Sequence, residues 1–165
     1  ALPDDVLHEI AGALGADVPM CLAGRTALAR GIGDRLPPLP PLPSAAILLV
    51  NPRVTLLTRE VFAARRGPFS AARPVPPRWR DGAELVAALA ERGNDLADAA
   101  MSLQPVVAEV LDVLCHSADV RYAAMTGSGA TCFALYDTLA AARRAAASVP
   151  EGWWRHAGEF VSAPA

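Results

Sequence analysis

The sequence contains no lysine, and all 15 of its basic side chains are arginine. Any mechanism that needs an ammonium group, such as a Schiff base or a lysine that clamps a phosphate, therefore cannot be completed by this chain alone. Alanine, by contrast, is abundant. Because GC-rich codon usage favours both arginine and alanine, composition alone accounts for the missing lysine and assigns it no function.

Residues suited to metal sites and disulfides are also few. The three cysteines, Cys21, Cys115 and Cys132, form no CxxC pair, and the three histidines lie far apart in the sequence. This spacing argues against a zinc site and favours buried free thiols in a reducing cytosol. We therefore assign no metal ligand.

Long apolar runs and basic stripes are missing as well. No run approaches the roughly 18 residues of a membrane-spanning helix, and the acidic N-terminus is unlike a signal peptide. A net charge of -2 and a pI near 5.9, without a basic stripe, argue against nucleic-acid binding. Hydrophobic content of 53% with 19% charged residues favours a globular domain. We expect a cytoplasmic protein without membrane or nucleic-acid partners.

Helical and strand patterns alternate along the chain. Helices are predicted from Pro3 to Gly15, from Thr58 onward, and over 83–92, 105–116 and 139–148. Strands are predicted at 26–32, 46–50, 131–136 and 154–161. This order predicts an α+β fold, a two-layer sandwich of helices on a largely antiparallel sheet.

A glycine-rich loop precedes the third predicted strand and consists of Gly127, Ser128, Gly129 and Ala130 after Thr126. Two glycines around a serine let several backbone N–H groups point into one concavity, where they can bind phosphate oxygens without a cation. The Ser128 hydroxyl adds a donor. A tight turn that needs positive φ explains the pattern equally well.

Two further signals carry polar or aromatic groups. Asp17 lies between a helix end and Pro19, where its carboxylate can accept a proton from a substrate hydroxyl, or form an Asx-turn or helix cap. Thr58 and Phe62 lie four residues apart, on one face of a helix. Together they can recognise a nucleobase, or serve as a cap and a core aromatic. Asn94, after a helix-stopping glycine, is interpreted as another helix cap.

These signals occur in one chain in a fixed order: LGADVP at 14–19, Asn51-Pro52 before Thr58 and Phe62, GNDL at 93–96 and MTGSGATCFALY at 125–136. In this combination, over about residues 7–161, the chain resembles the C-terminal half of a GHMP kinase of the non-mevalonate isoprenoid pathway. The resemblance implies a ferredoxin-like C-terminal domain with a largely antiparallel sheet.

The resemblance also implies roles for individual residues. Asp17 matches the catalytic aspartate, and Gly127–Ala130 matches a loop close to substrate and phosphate groups. Thr58 and Phe62 match positions that hold the cytidine end, with Phe62 stacked on the base. The implied reaction is phosphorylation of the 2-hydroxyl of a small-molecule substrate, cytidine diphosphate-linked methylerythritol, with ATP and Mg²⁺.

Several family elements have no counterpart in this sequence: the glycine-rich ATP loop, the lysine that partners the catalytic aspartate, and a second aromatic for the cytosine. We therefore expect an incomplete C-terminal part that is inactive without the N-terminal half of the same kinase. Residues 1–43 are expected to end the N-terminal ATP-binding domain, and residues 44–165 to form the substrate-side domain. The alternatives are another GHMP kinase, of homoserine or mevalonate type, and a stand-alone ligand-binding or regulatory α/β module.

Overall fold

The computed structural model describes residues 2–15, 17–31 and 35–160. The described chain divides into two compact units. The first contains the described residues up to Leu42 together with Val75–Trp79. The second contains Pro43–Pro74 and Arg80–Phe160.

The first unit contains two helices, α1 (Asp4–Leu14) and α2 (Val18–Ala23). α1 follows Pro3 and ends before Gly15, as predicted. Of the side chains described in these two helices, only Ala11 is buried, whereas Leu14 is 72% exposed. The apolar stripe that predicts α1 therefore lies largely at the surface of this chain.

The prediction of a strand at 26–32 is wrong for residues 26–31. Ile32 lies outside the residues that the structure describes. Only isolated bridges form, between Ala27 and Pro38 and between Arg30 and Arg35. The opposing segment is rich in proline, and proline has no N–H with which to continue a ladder. Its carbonyls still accept hydrogen bonds, as that of Pro37 does from the Leu28 N–H at 2.9 Å.

The second unit is built on a four-stranded sheet in the order β2-β3-β1-β4, in which every neighbouring pair is antiparallel. The strands are β1 (Ala46–Asn51), β2 (Tyr122–Met125), β3 (Cys132–Tyr136) and β4 (Trp154–Glu159). The predicted α+β class with an antiparallel sheet is confirmed. β4 ends at Glu159, and Val161, its predicted end, lies outside the described residues.

Five helices accompany the sheet: α3 (Thr58–Ala64), α4 (Gly82–Arg92), α5 (Ala97–Leu103), α6 (Val106–Cys115) and α7 (Leu139–Ala147). Side-chain caps begin two of them, since Asp81 accepts from the Glu84 N–H and Thr138 from the Ala141 N–H. Thr58 was predicted as a cap, and this is wrong. Leu57 holds the cap position of α3, and Thr58 is the first helical residue.

The core lies between one face of the sheet and the helices. Along β1, Ala46, Leu48 and Val50 are buried, and they pair with Tyr136, Ala134 and Cys132 of β3. The helical side of the same cluster is formed by Val61, Ala99, Ala100, Val107, Val110, Leu114, Ala141, Ala142 and Ala145. Because α7 contributes only alanines from its buried positions, its backbone can approach the strands closely.

The opposite face of the sheet carries aromatic residues. The rings of Tyr122 and Phe133 lie 5.9 Å apart between centroids. The Tyr122 hydroxyl donates to the carbonyl of Leu89 at 3.2 Å, which ties α4 to β2. The part of α4 around Leu89 therefore contacts β2 through a side chain on the face of the sheet opposite the core.

The three cysteines are free, but the expectation that they are buried is correct only for Cys132. Burial raises the pKa of the Cys132 thiol to about 12. Cys21 of α2 and Cys115 of α6 are exposed. In the described ranges, no helix is long and apolar enough to cross a membrane.

Shortening a core side chain tests this packing. Leu48 is 0% exposed, so Leu48→Ala removes buried methyl groups and leaves a cavity. We expect a loss of about 2–5 kcal/mol in the free energy of unfolding, measured by urea titration. Leu103→Ala is the matched control, since Leu103 is 41% exposed and should cost less than about 1 kcal/mol. Equal losses for the two variants would contradict the position of the core.

Candidate active site

The predicted glycine-rich loop connects β2 to β3 as a tight hairpin. The Thr126 N–H donates to the Thr131 carbonyl at 3.0 Å, and the Gly129 N–H donates to the Thr126 carbonyl at 3.1 Å. Gly127 and Gly129 adopt φ values of +56° and +88°. Residues with a side chain rarely adopt this left-handed region, so the turn depends on both glycines.

Gly129 is required for a second reason, which is space. A Cβ atom built there would lie 2.8 Å from the Met125 sulfur and 3.1 Å from Cδ2 of Leu56. A Cβ atom on Gly127 would meet nothing within 4 Å. The loop is therefore packed at Gly129 and open at Gly127.

Ser128, at the tip of the loop, contacts the first turn of α3. Its hydroxyl oxygen lies 2.9 Å from that of Thr58, although the two residues are 70 positions apart. One hydrogen suffices for this bond, so the pair keeps one O–H that can donate to a ligand. The structure thus brings together two residues that the sequence singles out for separate reasons.

Phe62 lies one turn after Thr58 on α3. It is 50% exposed, and its neighbour Val61 is the residue of this helix that enters the core. The reading of Phe62 as a core aromatic is therefore wrong. An exposed ring one helical turn from two hydroxyl groups can stack on a planar ligand.

Sequence reasoning missed the residue that anchors the loop, Asn94. Its side-chain amide donates to the carbonyls of Met125 and Gly127, each at 2.9 Å. The prediction of Asn94 as a helix cap is wrong, because α5 has Leu96 at its cap position and no side-chain cap. The sequence feature that could have drawn attention to this residue is an amide side chain placed directly after a glycine. In the structure that glycine, Gly93, adopts a φ of +61°.

A second polar feature adjoins α3. A cleft of about 410 Å³ is lined by Ala64, Arg65, Arg66, Asp95, Asp98, Ala99 and Ser102. The Asp95 carboxylate accepts from the Ser70 hydroxyl at 2.5 Å and from the Ser70 N–H at 2.8 Å. These bonds, the side-chain one foremost, lower the pKa of Asp95. They also fasten the segment after α3 to the start of α5.

Asp17 lies in the first unit, at the cap position of α2. Its side chain is exposed and makes no capping hydrogen bond, although its backbone carbonyl accepts from the Cys21 N–H at 3.2 Å. The carboxylate is therefore free of the helix-capping role that its position permits. Ala16, the preceding residue of the LGADVP motif, lies outside the described residues.

The acidic and histidine side chains do not gather into a cation site. Within the described part of the chain, no three His, Cys, Asp or Glu residues lie close enough to hold a metal ion. The described residues therefore form no site that could hold Mg²⁺ with protein ligands alone, and we derive no step through the ion.

Comparison with protein families identifies a long segment of the chain that contains α4–α7, β2 and β3. Residues 77–153 match the family model described as GHMP kinases C terminal. The chain carries a GHMP kinase C-terminal domain. The resemblance indicated by the sequence motifs is thereby confirmed.

Curated relatives of this GHMP kinase domain extend the match to nearly the whole chain. The 4-diphosphocytidyl-2-C-methyl-D-erythritol kinase of Paramagnetospirillum magneticum is 47% identical, over 98% of this chain and 58% of that protein. The enzyme of the same name from Rhodospirillum rubrum is 44% identical, over 98% of this chain and 54% of that protein. The chain thus spans little more than half the length of the curated relatives it matches.

Two solved structures match the chain over most of its length. A crystal structure of 4-(cytidine 5'-diphospho)-2C-methyl-D-erythritol kinase matches with a TM-score of 0.73 and 34% identity, over 93% of this chain and 56% of that one. Homoserine kinase from Cytophaga hutchinsonii matches with a TM-score of 0.52, over 88% of this chain and 50% of that one. At 18% identity, the second match shows a shared fold alone.

The two glycines of the loop provide a matched pair of substitutions. Gly129→Ala must adopt a left-handed φ and also displace Met125 or Leu56, whereas Gly127→Ala meets only the first requirement. We expect Gly127→Ala to cost about 1–2 kcal/mol of unfolding free energy and Gly129→Ala about 1–3 kcal/mol more. Thermal and urea unfolding measure the difference. A cost at Gly127 as large as that at Gly129 would contradict the packing described for the loop.

Proposed function

We propose that the full-length protein carrying this chain phosphorylates the 2-hydroxyl of 4-diphosphocytidyl-2-C-methyl-D-erythritol with ATP. The observation that carries the proposal is the grouping of Thr58, Ser128 and the exposed Phe62 ring in one unit. A pair of hydroxyls beside an aromatic plate suits a ligand with both phosphates and a base. The names of the relatives at 44–47% identity support the same substrate.

In this proposal Asp17 is the general base. Its carboxylate accepts the proton of the substrate 2-hydroxyl, the oxygen attacks the γ-phosphorus of ATP, and the bond to the β-phosphate oxygen breaks to release ADP. The exposed carboxylate, free of any capping bond, supports this role. No lysine of this chain can assist it, since the chain has none.

The loop Gly127–Ala130 and Thr58 bind the phosphate groups of the substrate. The backbone turns at two glycines, and the Thr58–Ser128 pair keeps one hydroxyl hydrogen for a phosphate oxygen. Phe62 stacks on the cytosine. A base and its phosphates are joined by a ribose, so both sites can be occupied by one molecule.

The remaining components come from outside this chain. We propose that the N-terminal half of the same kinase supplies the ATP loop, the lysine and the second aromatic, and that residues 1–43 belong to that domain. Exposed apolar side chains of α1 and α2, among them Ile10, Leu14 and Leu22, support a partner surface there. Mg²⁺ use and the cytoplasmic location stay predictions.

Replacing Asp17 tests the chemical step. Asp17→Asn keeps the size of the side chain but removes the base, so kcat of the full-length enzyme should fall about 10²–10⁴-fold with little change in KM. Asp5→Asn, an exposed acid on α1, is the control and should leave both constants unchanged. Equal losses in substrate affinity and turnover would indicate a structural role for Asp17.

Replacing Phe62 tests the base site and separates the substrate classes. Loss of one base–aromatic stack, about 1–3 kcal/mol, should raise the KM of Phe62→Ala for the cytidine substrate about tenfold and leave that for ATP unchanged. Phe69→Ala is the control, since the Arg65 guanidinium already lies 3.6 Å from the centroid of that ring.

The competing functions predict different outcomes for the same variant. A homoserine-type or mevalonate-type kinase has no cytidine to stack, so Phe62→Ala would leave its substrate affinity intact. A stand-alone sensor would bind a metabolite in calorimetry with this chain alone and would not need the N-terminal half.

A further inference from the structure

We propose that Asn94 is a positioning residue that sets the orientation of the Gly127–Ala130 loop toward its ligand. The proposal rests on the proposed function for what the loop binds, and on the structure alone for how the loop is held. Asn94 lies between α4 and α5, outside the loop that it contacts.

The contact is a fork. Both hydrogens of one side-chain amide are used, because Nδ2 donates to the carbonyls of Met125 and Gly127 at 2.9 Å each. These carbonyls belong to the residues before and after Thr126. The single Asn94 Nδ2 atom therefore holds both the end of β2 and the start of the loop. No other standard neutral side chain of this length offers two donors on one atom.

Holding the Gly127 carbonyl also aims the next N–H. In a planar trans peptide, the C=O of one residue and the N–H of the following residue point in opposite directions. With the Gly127 carbonyl directed at Asn94, the Ser128 N–H is directed away from it. The Ser128 N–H thus has a fixed direction before any ligand binds. A donor that is oriented in advance in this way binds a negatively charged group more strongly.

Asn94 is itself fixed on its other side. Its Oδ1 accepts from the Leu96 N–H at 2.9 Å, and Gly93 before it takes φ +61°. The Asn94 side chain therefore has two structural roles. Its Oδ1 acceptor closes the local turn, and its Nδ2 donors hold the loop. A substitution that keeps the first and removes the second isolates the proposed role.

Asn94→Asp is that substitution. The aspartate retains an oxygen for the Leu96 N–H but turns a second oxygen toward the two carbonyls, which it repels. Ser117→Ala is the matched control, because Ser117 also makes two hydrogen bonds, to the Leu114 carbonyl and the Tyr136 hydroxyl, near the opposite end of β3. Asn94→Ser, which keeps an acceptor and loses the fork, replaces Asn94→Asp if the latter fails to fold.

The first measurement is amide hydrogen exchange by NMR in the full-length protein. The Thr126 and Gly129 N–H groups donate within the loop, and we expect both to exchange about tenfold faster in Asn94→Asp, while α7 is unchanged. Ser117→Ala should leave the loop amides unaffected. Unchanged loop exchange, or faster exchange in α7 as well, would overturn the proposal whether or not the protein is a kinase.

The second measurement links the loop to catalysis. If Asn94 acts through the loop, Asn94→Asp combined with Ser128→Ala should lower kcat/KM no more than about twofold beyond the more severe single variant. A loss of kcat/KM in the double variant that equals the product of the two single-variant losses would overturn the proposal. Faster loop exchange in a protein whose wild type transfers no phosphate would instead count against the proposed function and leave the positioning role supported.

Discussion

The burial of β1 is the constraint on which the rest of the second unit depends. β1 pairs with β3 on one side and β4 on the other, and its alternate residues enter the core. A shift of one residue in its register would expose Leu48 and Val50 to solvent and bury their neighbours instead. Because of this register, the end of β1 that leads to α3 and the loop between β2 and β3 lie at the same end of the sheet.

Polar side chains from other parts of the second unit hold the β2–β3 loop in place. Asn51, the last residue of β1, donates to the Thr131 hydroxyl at 2.8 Å and so ties the strand end to the base of the loop. Asn94 holds the near side of the loop, and Thr58 meets its tip. Asn51, Thr58 and Asn94 thus contact four residues in and beside the loop, which are Met125, Gly127, Ser128 and Thr131.

The sequence predicts the elements far better than the contacts among them. β1 and α6 are foreseen because each has a strong apolar period, and the glycine-rich loop because its composition is unusual. α5 is not, since Ala97–Leu103 has only seven residues, three of them alanine, and so gives little contrast between an apolar and a polar face. The Thr58–Ser128 bond could not be read from local patterns, because it joins side chains that only the tertiary fold brings together.

The link between α3 and the loop also couples binding to folding. Thr58 and Ser128 are separated by 70 positions, and their hydroxyl bond is exposed to water, so by itself it adds little to the unfolding free energy. A ligand that contacts both segments acts as a reversible cross-link across that long stretch of chain. Ligand binding therefore raises the melting temperature of the whole domain, and the increase grows with the ligand concentration. The melting temperature becomes a measure of site occupancy that needs no catalytic turnover.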